Sequence, residues 1–123
     1  MQKLSLDALA RELLSRATTS GASGPAHGAR AAQTVVGGHE KALRQTVIAL
    51  AKDAAMAEHA SPGEATLLVL RGRVTLSCGT DAWEGRDGDL LVIPDAPHGL
   101  TAQADSVVLL TVVKRQPDHK AGG

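Results

Sequence analysis

The chain has 123 residues, thirteen basic and thirteen acidic side chains, and a formal net charge of zero. That length supports one domain with its own core, and the balanced charge leaves no basic footprint for DNA, RNA or an anionic membrane. There is no Phe or Tyr and one tryptophan, Trp83, so the stacking platforms that single-stranded nucleic acid requires are missing.

The single cysteine, Cys78, can form neither an intrachain disulfide nor a cysteine-based zinc site. The first residues have no apolar stretch resembling a signal peptide. No apolar run reaches the roughly 18 residues of a membrane-spanning helix. The expectation is a cytoplasmic protein with neither a nucleic-acid nor a membrane partner.

Leu6, Leu9, Leu13 and Leu14 recur at helical spacing behind Ser5, a cap residue, with Asp7 early and Arg11 and Arg16 late as the helix dipole favours. This predicts a helix from about Leu6 to Ala17, within an N-terminal helical segment of residues 1–17, acting as a cover for a sheet or a partner subunit. Residues 18–32 are rich in Gly, Ala and Ser, without hydrophobic period, and read as a flexible linker containing His27 as a solvated residue.

From Gln33 the pattern becomes β. Gln33 to Val36 is a short strand ended by Gly37 and Gly38, and Leu43 to Leu50 is a longer one. The alanines around Ala54 to Ala57 favour a helix by propensity, yet the connection is too short for one, so an extended approach to His59 is expected. Ser61 to Glu64 form a turn, and Thr66 to Leu70 and Arg73 to Cys78 are strands joined across Arg71-Gly72, read as a two-residue hairpin. Strands follow at Ala82 to Glu84, Asp89 to Ile93, Leu100 to Gln103 and Ser106 to Val113; residues 114–123 read as a disordered tail.

About eight short strands at regular spacing predict an all-β domain over residues 33–113, an antiparallel β-barrel or jelly roll with one N-terminal α-helix. Thr66 to Leu70 and the last strand are apolar on both faces. One face fills the interior; the other needs a cover, from the helix or from a second copy, which predicts a homodimer. Cys78 shares a face with Val74 and Leu76 and is expected to be a buried, inert thiol. Trp83 is expected in core or interface, and His39 at the surface.

Two stretches carry the chemistry. The run from His59 through Ser61, Pro62, Gly63 and Glu64 to Gly72 resembles the first motif of the cupin superfamily, and Gly88 to Pro94 with His98 resembles its second. The resemblance covers Leu43 to Val113 and implies an RmlC-like jelly roll in which His59 is the first and His98 the last metal ligand. Ser61 stands at the second histidine position and Ala65 at the glutamate position, with Glu64 one residue early. The second motif is one residue shorter than its common form, with Ala96 in place of glycine.

The ligand set is therefore incomplete. The resemblance implies a small-molecule binding or regulatory module, with His59, His98 and Glu64 as ligand-binding residues, an unidentified small molecule as partner and no cofactor. The alternative is a metal-dependent oxygenase or isomerase. There His59 and His98 with a carboxylate from Glu64 or Glu58 would hold one divalent ion of iron, manganese, nickel or zinc.

Overall fold

The computed structural model describes residues 2–19, 29–60 and 63–114, and His59 by its backbone alone. Among them are one helix, α1 (Leu6–Thr19), and nine strands: β1 (Arg30–Val36), β2 (Leu43–Leu50), β3 (Ala55–His59), β4 (Gly63–Arg71), β5 (Arg73–Cys78), β6 (Asp81–Arg86), β7 (Leu90–Ile93), β8 (His98–Ala102) and β9 (Ser106–Lys114). The helix starts where the sequence places it. The Ala8 amide donates to Ser5 Oγ at 3.1 Å, satisfying one of the first-turn N–H groups that lack an intrahelical partner.

Two antiparallel sheets face each other. The five-stranded sheet runs β1-β2-β9-β4-β7 and the four-stranded sheet β3-β8-β5-β6. Strand alternation turns Ile48, Leu50, Leu67, Val69, Ile93 and Val108 of the first toward Val74, Leu76, Leu100 and Ala102 of the second, and these form the buried core between the sheets.

A second cluster lies on the back of the five-stranded sheet, where Ala10, Leu13 and Ala17 of α1 pack on Val47, Ala49 and Val107. The helix is the expected cover, and it covers only part of that face. Val92 remains 68% exposed and Leu90 60%.

The connection at Arg71-Gly72 is not a hairpin. β4 and β5 belong to different sheets, so the chain turns a corner there instead of pairing back on itself. Gly72 makes the corner possible. Its φ of +100° lies in the left-handed region that favours glycine. A Cβ on it would run into Ser106 Oγ and come within 2.6 Å of both Asp105 O and Ser106 Cα.

Backbone groups at the corner are then satisfied by side chains. The Gly72 amide donates to Asp87 Oδ1 at 2.7 Å, and the Arg73 amide to Ser106 Oγ at 3.0 Å. The pair of residues with hairpin spacing that does close a hairpin is Gly79-Thr80, between the paired Cys78 and Asp81.

Boundaries shift elsewhere. The linker expected over 18–32 is shorter at both ends, because α1 runs to Thr19 and β1 begins at Arg30; its middle, with His27, lies outside the described residues. The tail expected over 114–123 also lies outside them except for Lys114, the last residue of β9. The alanine-rich segment is extended as expected, forming β3. Cys78 is half-buried, not buried, because β5 ends there at the rim of the barrel. Trp83 is 45% exposed on the edge strand β6, so it fills no core.

Candidate functional site at the barrel mouth

The first residue of β8 is the centre of the site. His98 is delivered by the connection Pro94–Pro97 to the edge of the core, where it is 7% exposed, on the same face of β8 as Leu100 and Ala102. Its Nδ1 lies 3.0 Å from Ala96 O. A carbonyl only accepts, so Nδ1 carries the proton. The short Pro-Asp-Ala-Pro turn thus sets both the position and the tautomer of the imidazole.

β3 brings the other histidine to the same level. The backbone register pairs His59 with His98, after an irregularity between Met56 and His59 that inserts one residue into β3. Gly99 accommodates that bulge: a Cβ there would sit 3.2 Å from Met56 O and 3.4 Å from Glu58 N. On the other side of β8, Ser77 pairs with Gly99.

Glu64 does not join them. On β4 the inward residues are Ala65, Leu67 and Val69, and Glu64 is exposed on the opposite face. The one-residue offset from the motif position has the consequence strand geometry demands. Glu58 is exposed as well, and His39 lies in the exposed turn between β1 and β2. Ser61 lies outside the described residues.

Beneath His98 the barrel holds a cleft lined by Ile48, Met56, Leu67, Leu76, Ile93, Leu100 and Leu110 together with His98 and Gly99. Its empty volume is about 370 Å³ out to the solvent boundary, of which about 40 Å³ can take the centre of a water molecule. The smaller figure governs what enters without rearrangement, and it admits only a narrow group. The larger is at the lower end of the range for small-molecule sites. Apart from the imidazole and backbone, the lining is aliphatic or thioether.

Catalytic metal sites usually give an ion three protein ligands and an open position. Among the described residues no three His, Cys, Asp or Glu side chains converge. The inward position on β4 where a carboxylate would complete a set with His98 is occupied by Ala65, 8% exposed.

No family model and no curated protein matches the sequence. Solved structures do match. A conserved protein of unknown function from Streptococcus pyogenes superposes with a TM-score of 0.65 at 29% identity, over 72% of this chain and 76% of that one. A cupin superfamily protein from Desulfitobacterium hafniense gives 0.65 at 12% identity, over 72% and 81%. An RmlC-like cupin from Shewanella frigidimarina gives 0.61 at 19% identity, over 72% and 79%.

Proposed function

We propose that this chain, a small single-domain protein with the RmlC-like cupin fold, is a small-molecule binding module that works as a homodimer. The observation that carries the binding reading is one buried imidazole at the head of an otherwise apolar cleft inside the barrel. Such a cleft favours a small, mostly aliphatic ligand with one polar group. The apolar part displaces water from Leu76, Leu100 and Met56, and the polar group meets His98, whose orientation the Ala96 carbonyl holds. His59, paired with His98 through the backbone, is the second polar contact in this reading.

The same pairing of His59 with His98 supports a second reading, a metal-dependent enzyme. It is one ligand short on the described residues, and Glu64 faces away. The binding reading therefore stands first.

A methyl NMR titration with short alcohols and carboxylates as probes tests it. Saturable shifts are expected for the methyls of Met56, Leu76, Ile93 and Leu100, with affinity for the better probe falling at least tenfold in His98→Ala. Shifts that are absent for every probe, or that scatter over the surface, would refute it.

A further inference from the structure

We infer that the cleft is entered from the side, between the edge strands β1 and β3, and that its ligand carries a carboxylate held there by Arg30. This rests on the binding reading above and adds to it the route and the class of ligand. The two sides of the sandwich differ. On the side of β6 and β7 the sheets pack directly: Gly85 is buried, and a Cβ on it would lie 3.1 Å from both Leu91 Cδ1 and Val69 Cγ2. On the side of β1 and β3 they do not. The register pairs Arg30 with Leu50, Ala32 with Ile48 and Thr34 with Thr46, so these three residues of β1 lie on the inward face of the sheet. All three are nonetheless exposed. Among the described residues, the inner face of β1 is left uncovered by the other sheet.

An outer cleft occupies that opening, lined by Arg30, Ala31, Ala32, Ile48 and Met56, with an empty volume of about 550 Å³ out to the solvent boundary. It shares Ile48 and Met56 with the cleft beneath His98. The two spaces are neighbours across two side chains of unequal stiffness. Ile48 is β-branched, buried, and held on β2 between β1 and β9. Met56 is unbranched and half-buried on the edge strand β3. Rotation about its side-chain bonds joins the two spaces without moving either sheet.

Charge selects the ligand. Arg30 Nη1 donates to Ala55 O at 3.5 Å, a long contact across the opening. Among the described residues its guanidinium has neither a second hydrogen bond nor an acidic partner. Its planar fork of N–H donors suits a carboxylate, which accepts two of them at once.

The acid is then a second polar group, besides the one that meets His98. Ala55 pairs with Thr101 on β8, three residues along the strand from His98. At a rise of about 3.3 Å per residue the two polar ends lie roughly 10 Å apart. The stretch between them is apolar, bordered by Met56, Ile48 and Leu100. The ligand class is a medium-length aliphatic acid with a hydrogen-bonding group at its far end.

The test compares ω-hydroxyoctanoate with octanediol, which has the same chain and no charge, by methyl NMR titration of the parent, Arg30→Gln and Arg30→Lys, each checked by melting. The parent is expected to bind the acid about tenfold more tightly than the diol. Arg30→Gln should lose that preference while keeping its affinity for the diol, and Arg30→Lys should retain part of it. Ala32→Trp, on the inner face of β1 and outside the inner cleft, should slow exchange of the acid about tenfold by blocking the opening; Ala32→Leu replaces it if it does not fold. No preference for the acid in the parent, or equal losses for acid and diol in Arg30→Gln, would overturn the assignment of Arg30. Unchanged exchange in the Ala32 variant would overturn the side entry. If neither probe binds the parent, the binding reading itself falls, and this inference with it.

Discussion

Replacing Gly72 by alanine tests the corner that joins the two sheets. The cost has two parts. Holding an L-residue in the left-handed region costs about 1–2 kcal/mol. The new methyl also meets Ser106 Oγ and two further atoms at 2.6 Å, the Asp105 carbonyl and Ser106 Cα, and two of these three contacts are backbone and cannot rotate away. Relief requires the β5 and β9 ends to separate, which strains the core by about 1–3 kcal/mol and weakens the bond from the Arg73 amide to Ser106 Oγ.

Gly79→Ala supplies the control. Gly79 also has positive φ, +61°, but a Cβ there has nothing within 4 Å. It incurs the conformational cost alone. The difference between the two variants is therefore about 1–3 kcal/mol, or roughly 4–12 °C in melting temperature for a domain of this size. Urea unfolding followed by circular dichroism and by Trp83 fluorescence measures it. If the two variants are equally stable within about 0.5 kcal/mol, the corner is not packed as described.

Two further substitutions probe the same architecture. Ser106→Ala removes a fully buried hydroxyl that accepts from the Arg73 amide and lies 2.7 Å from the Ala104 carbonyl; denaturant melts should show a loss of about 1–3 kcal/mol, because the amide is left without that partner. Leu76→Ala empties a fully buried position that borders the cleft. It should cost about 2–5 kcal/mol in the same assay and, by enlarging the cavity, admit bulkier apolar probes.

Much of this fold was legible in the sequence because strands announce themselves by alternation and by turn residues. Leu43–Leu50 and Arg73–Cys78 have the bounds that the pattern predicts. What could not be read was which strands pair. Arg71-Gly72 has the length and the glycine of a hairpin, and the corner it makes depends on Ser106, Asp105 and Asp87, distant in sequence. Exposure is equally non-local. Cys78, expected to be buried beside Val74 and Leu76, is half-buried because β5 ends there.

The site divides in the same way. His98 sits inside the barrel because a rigid proline turn precedes it, and that turn is written in the sequence. Glu64 was a candidate by proximity to the motif, and strand geometry sends it outward. The pairing of His59 with His98 depends on a bulge in β3 accommodated by Gly99 forty residues later.

The most direct measurement of the central claim is the metal content of protein purified without a histidine tag, determined in parallel on the parent and on His98→Ala. A binding module with an incomplete ligand set predicts well under one equivalent of iron, manganese, nickel or zinc in the parent, with no change in melting temperature on adding each ion. Near-stoichiometric metal in the parent that is lost in His98→Ala would contradict it.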